Sequence, residues 1–101
     1  MLALSVIERY KALKQEYPDA ILLYRVGIFY RIFFEDAVKA SAACGLKLMV
    51  EGEFSNPIPV CGFPASGLDK YVGKLVRAGY SVAVSFHQGD DQPTVEEVIR
   101  V

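Results

Sequence analysis

The 101-residue chain has no basic excess: eleven Lys and Arg stand against twelve Asp and Glu, a formal charge of −1. A self-sufficient nucleic-acid binder carries surplus cations, because neutralising phosphates and releasing counterions supplies most of its affinity. Any nucleic-acid contact here must come from a local patch or from neighbouring domains. Cysteine is scarce. Cys44 and Cys61 are the only two, too few for a disulfide framework, and their apolar surroundings predict free buried thiols. His87 is the single histidine. With the two cysteines it would offer three metal ligands, but none share the short local spacings of zinc sites, so it reads as a surface turn residue. No GxxxxGK[ST] loop is present, which excludes phosphate binding by that route. The apolar start, Met1 to Ile7, is broken by Glu8 and Arg9 and has no basic region before it. It is neither a signal peptide nor a membrane span, and the cytoplasm is the expected compartment. Internal repeats and low-complexity segments are also missing.

What the chain has is core material. Hydrophobic residues make up 52% of it, ample for one packed domain over residues 1–101 and too short a length for two. Ser5 followed by Glu8 reads as a capping box, and apolar residues recur at Val6, Tyr10, Leu13 and Tyr17, predicting a helix over about residues 3–17. Pro18 and Asp19 stop it. Ala20 to Val26 and Ile28 to Phe34 read as strands around Gly27, which supplies the backbone freedom of a hairpin turn. Glu35 and Asp36 place negative charge at the positive end of a second helix, which Gly45 ends. Leu46 to Val50 reads as a short strand, 51–59 as a Pro- and Gly-marked loop, and Val60 to Phe63 as another short strand. Ser66 with Asp69 is a second capping box, opening a helix that Gly79 ends. A buried Val-rich strand from Tyr80 to Phe86, a polar turn from His87 to Pro93 and a last strand from Thr94 to Val101 complete the order. Hairpins mixed with helices predict an α+β, two-layer domain: a mixed β-sheet packed with three helices.

Enzyme chemistry finds little support. A metal-dependent nuclease needs an acidic pair and a lysine converging on one site. Asp19 lies in a turn, while Glu35, Asp36 and Lys39 gather at one helix start, an arrangement that serves capping. No catalytic residue and no metal ligand are expected. The hairpin is more informative. Phe29, Arg31 and Phe33 fall at period two and share one strand face; Ile28, Tyr30 and Ile32 share the other. An aromatic beside a turn with a cation two residues on suits nucleic acid, the ring stacking on a base and the guanidinium meeting acceptors. The plainer reading of the same pattern is a core stripe, with Phe29 packed inward and Arg31 snorkelling.

One family resemblance bears on that choice. Leu22-Leu23-Tyr24-Arg25-Val26-Gly27, then Ile28-Phe29-Tyr30-Arg31, then Phe34-Glu35-Asp36-Ala37 resemble the opening of the N-terminal mismatch-recognition domain of MutS DNA-repair proteins. Further on, Pro57-Ile58-Pro59, Gly62-Phe63-Pro64, Tyr71, Lys74-Leu75-Val76, Gly79 and Val82-Ala83 follow the family pattern in order, and Val98 to Val101 resembles its closing strand. The resemblance implies an α+β module that probes the minor groove of double-stranded DNA, mismatched DNA included. The residue matching Phe29 is the family's wedge, which stacks on a mispaired base while the duplex kinks. Unstacking costs a few kcal/mol, less at a mismatch, and that difference becomes discrimination.

The family's Glu, two residues after the wedge, hydrogen-bonds the mispaired base. Here Arg31 stands at that position and Ile28 replaces the family's Asp. Arginine cannot accept a hydrogen bond. The resemblance therefore carries over the wedge without the acceptor, and Arg31 instead suits minor-groove acceptors or a phosphate. Arg25, Lys70 and Lys74 are the further candidates for backbone contacts. Whole MutS proteins also have core, clamp and ATPase domains, so ATP and magnesium are expected only if the chain belongs to, or works with, a full-length MutS protein. The competing reading is a protein-interaction or dimerisation module, self-associating or docking on other MutS-type domains, with exposed aromatics such as Phe29 and Phe54 as anchors.

Overall fold

The computed structural model describes residues 4–86 and 94–101, with side chains from residue 6 onward. The Ser5 hydroxyl of the first capping box, His87 and the expected turn to Pro93 lie outside the described residues. Helix α1 (Leu4–Glu16) leads into strand β1 (Ala20–Val26). Ile7, Tyr10 and Leu13 bury one stripe of the helix, with Val6 and Tyr17 at its margin. Strand β2 (Phe29–Phe33) pairs antiparallel with β1, Val26 facing Phe29 across the turn residues Gly27 and Ile28. Gly27 has φ +62 and Ile28 does not enter the left-handed region, the sign pattern of a type II′ turn, which matches the twist of the flanking strands.

Helix α2 (Phe34–Cys44) follows β2 with no loop between them. The reversal is made at Phe34, whose φ of 57 is left-handed, a conformation that costs a non-glycine residue about 1–2 kcal/mol. Asp36, in the first turn of α2, offsets that strain. Its carboxylate accepts the Leu22 N–H at 3.0 Å and pairs with Lys14 Nζ at 2.8 Å. The Tyr10 hydroxyl stands 3.2 Å from both this carboxylate and the Phe33 carbonyl, its proton shared between them. At Leu22 the chain of β2 has already turned away, since β1 meets β2 only from Tyr24 onward. The carboxylate therefore takes a backbone N–H that a neighbouring strand would otherwise satisfy, and one buried side chain joins α1, β1 and α2.

Strand β3 (Met49–Glu53) and strand β4 (Asn56–Pro64) form a hairpin, which corrects two expectations. The strand begins at Met49 rather than Leu46, and residues 56–59 continue β4 rather than a loop. Pro57 and Pro59 are tolerated because β4 outruns β2 there: β2 faces only Val60 to Pro64. A missing N–H costs nothing on the side of a strand that has no neighbour. The second capping box is also corrected. Ser66 lies in a 3-10 turn, Ala65–Gly67, and makes no capping bond to helix α3 (Leu68–Arg77), which Gly67 precedes. The C-terminal stop is as expected: Tyr80 N–H reaches Leu75 O and Gly79 N–H reaches Val76 O, a Schellman motif.

Strand β5 (Ser81–Phe86) runs parallel to β1, and β6 (Thr94–Ile99) closes against it. The six strands stand in the order β3-β4-β2-β1-β5-β6, the expected α+β mixed sheet with three helices. Alternation along β1 divides the core in two. Ile21 and Leu23 face α2 and α3, together with Tyr30, Ile32, Phe63, Leu75, Val82 and Val84. Ala20, Leu22 and Tyr24 face α1, together with Tyr10, Phe33, Val60 and Ala83. The two-layer description holds for α2 and α3 on the sheet; α1 adds a cover on the opposite side.

Candidate nucleic-acid interface

The site is built on the β1–β2 hairpin, and its tip is braced from several directions. The Ile28 carbonyl accepts the Ala65 N–H at 2.8 Å, fastening the turn to the segment that leads into α3. Arg25 Nε donates to the Gly27 carbonyl at 3.0 Å. The Arg25 guanidinium lies 5.7 Å from the Tyr30 ring and 5.9 Å from the Phe86 ring, cation–π contacts that hold it in place. Beyond the last parallel pair of β1 with β5, the buried Ser85 hydroxyl accepts the Arg25 N–H at 3.1 Å and donates to the Leu23 carbonyl at 2.9 Å. These contacts fix the backbone of the tip and the Arg25 side chain.

Two large apolar residues stand out from it. Ile28 is 72% exposed and Phe29 is 45% exposed. Phe29 shares its face with Arg31 and Phe33, but only Phe33 reaches the core. The aromatic stripe is thus core at one end and surface at the other, so the plainer reading holds for Phe33 and not for Phe29. Arg31 is half-exposed and pairs with Glu51 of β3, Nη1 to Oε1 at 3.8 Å.

The five residues expected at the site divide between the two sheet faces. Phe29 and Arg31 lie together on the α1 side. Arg25 stands directly opposite Tyr30 in the hairpin, and cross-strand partners share a face, so Arg25 belongs to the α2–α3 side. Lys70 and Lys74, one turn apart on α3, rest their ammonium groups 5.3 and 5.6 Å from the Tyr71 ring. Arg25 carries a structural duty that sequence reasoning missed: Gly27 O and Tyr30 lie in its own hairpin, but Phe86 comes from distant β5. Glu51 was also missed. It stood inside an expected loop, twenty residues from Arg31.

Little else in the described residues resembles a reactive centre. Burial raises the Cys61 thiol to about 11, with Cys44 adding to the shift, and burial raises Cys44 as well. Both are free and buried, so they stay protonated and poorly nucleophilic near neutrality. Burial, reinforced by the Asp36 carboxylate, also pushes Tyr10 well above an ordinary phenol. Asp19 pairs with Arg100 at the surface, while Asp36 is committed to Lys14, Tyr10 and Leu22. Among the described residues no group of three or more His, Cys, Asp or Glu side chains is arranged to hold a metal, and no helix is long and apolar enough to cross a membrane.

Comparison with known proteins agrees with the residue pattern. A family model described as MutS domain I matches residues 5–100. The DNA mismatch repair protein MutS of Anaplasma phagocytophilum is 46% identical over 79 residues, covering 78% of this chain and 9% of that protein. The protein of the same name from Lactococcus lactis subsp. cremoris is 43% identical over 95 residues, covering 93% of this chain and 11% of its own length. That from Rhizobium meliloti is 43% identical over 83 residues, covering 81% and 9%. The chain thus spans about a tenth of the length of these relatives.

Proposed function

The chain belongs to the MutS domain I family, and from that premise we propose that it is a DNA-binding module of mismatch repair that presses the Phe29 ring into the minor groove. The observation that carries this reading is a large aromatic, nearly half exposed, at a hairpin tip whose backbone is braced by hydrogen bonds. An exposed ring on a fixed support can unstack a base step without first paying to order itself. Because unstacking is easier at a mispaired step, the same ring favours mismatched duplex. Arg31 contributes a cation on the same face. Arg25, Lys70 and Lys74 approach the backbone from the other side of the sheet. In this reading the module works in the cytoplasm, and the ATPase, with its ATP and magnesium, belongs to the remainder of a full-length MutS protein, in the same chain or a partner.

Titrating labelled paired and mismatched duplexes with wild type and Phe29→Ala tests it. Wild type should bind weakly, no tighter than about 10⁻⁴ M at physiological salt given its charge balance, and favour the mismatch. Phe29→Ala should lose the preference. Equal loss on both duplexes would make Phe29 a general contact or a packing residue.

A second reading has one observation in its favour. Phe54 is fully exposed at the tip of the β3–β4 hairpin, and Met49 and Val50, at the far end of β3, are also half or more exposed. β4 is nine residues long and Phe29 faces its last residue, Pro64, so Phe54, beyond its first, lies up to roughly 27 Å from the Phe29 tip. Phe29 and Phe54 therefore do not form one patch, and a protein contact at Phe54 is compatible with DNA at Phe29. A chain that binds neither duplex but dimerises by light scattering would replace the first reading with this one.

A further inference from the structure

Arg31 does not point where its position suggests. It faces Gly62 across β2–β4, whereas its ion-pair partner Glu51 faces Ile58, four residues further along β4. Phe29 lies in the other direction, opposite Pro64. The guanidinium is therefore drawn along the sheet away from the hairpin tip. Gly62, opposite Arg31, has no room for a side chain: a Cβ there would come 2.6 Å from the Tyr30 carbonyl oxygen. The pair is accessible, with 39% of the Arg31 side chain and 24% of the Glu51 side chain exposed, at a separation of 3.8 Å. An exposed pair of this length is a weak one that another anion can displace, and guanidinium stays charged throughout.

We propose that Glu51 is the positioning residue that sets how far Arg31 engages DNA: it holds the guanidinium off the duplex and partly neutralises it, so that phosphate must compete with a carboxylate. This rests on the DNA-binding reading above and deepens it. Glu51 thereby limits the contribution of a contact that ignores base pairing, leaving the ring of Phe29 as the larger share of what binding remains. Phosphate contacts orient a protein and add affinity without adding discrimination.

The test measures duplex affinity from low to moderate salt for wild type, Glu51→Gln, Arg31→Ala and the double variant, on paired and mismatched DNA. Glutamine keeps the shape of the side chain and removes its charge, and thermal melting checks that each variant folds. Glu51→Gln should tighten both duplexes by about two- to five-fold at low salt. It should also steepen the salt dependence by up to about 0.9 in log–log slope, the signature of one more phosphate neutralised. The double variant should lose both gains. Unchanged affinity and slope in Glu51→Gln, with wild-type binding intact, would overturn the role of Glu51 and leave the DNA reading standing. So would a gain that survives in the double variant, since it would then owe nothing to Arg31. No binding by any of the four would overturn both.

Discussion

Asp36 shows how much one side chain can decide. It is buried, and its carboxylate gathers a backbone N–H, a phenol and an ammonium from two other elements. Removing one partner of a buried charge pair costs more than the pair contributes net, because the other groups are left without acceptors. Asp36→Ala should therefore destabilise the domain by about 3 kcal/mol, read from urea denaturation as a lower midpoint at an unchanged slope. Asp36→Asn keeps an acceptor and should lose less. Equal losses would mean that a neutral acceptor recovers nothing and that the whole contribution depends on the carboxylate's charge. From sequence this residue looked like a favourable charge at a helix start. That part was legible; its long-range partners were not, because they are set by where β2 leaves the sheet.

At the scale of elements, local chemistry foretold what local chemistry governs. The strand–Gly27–strand hairpin, the α2 stop at Gly45 and the α3 stop at Gly79 all follow from backbone preferences within a few residues. The β3–β4 hairpin did not. Pro57 and Pro59 read as breakers, since a sequence displays a missing N–H but not the empty space it faces. The Ser66–Asp69 box failed similarly, the entry to α3 being set by a 3-10 turn fastened to Ile28. Gly62 is an element-scale constraint of the same kind. A side chain there collides with the backbone of β2 rather than with a movable side chain, so Gly62→Ala must part β2 from β4. A loss of about 1–3 kcal/mol is expected, with amide exchange quickening first along Tyr30 to Ile32. Exchange that quickens instead along β5 and β6 would show that the strain travels elsewhere.

For the whole molecule, the sheet separates the candidate contacts while the hairpin tip exposes Phe29. Phe29 was legible in the sequence as a position, though its exposure was not: period two places it on the face of Phe33, and only the end of the sheet leaves it uncovered. Charge balance argues that the domain binds weakly by phosphate contacts alone, so what it offers DNA is chiefly shape. The most direct measurement places 2-aminopurine beside a mismatch and follows its fluorescence at saturating protein. If Phe29 unstacks the mispaired step, wild type should raise the emission strongly on the mismatched duplex and little on the paired one. Phe29→Ala, added until bound, should leave it near the free-DNA level. An emission rise that survives Phe29→Ala, or wild type bound with no rise at all, would contradict the wedge.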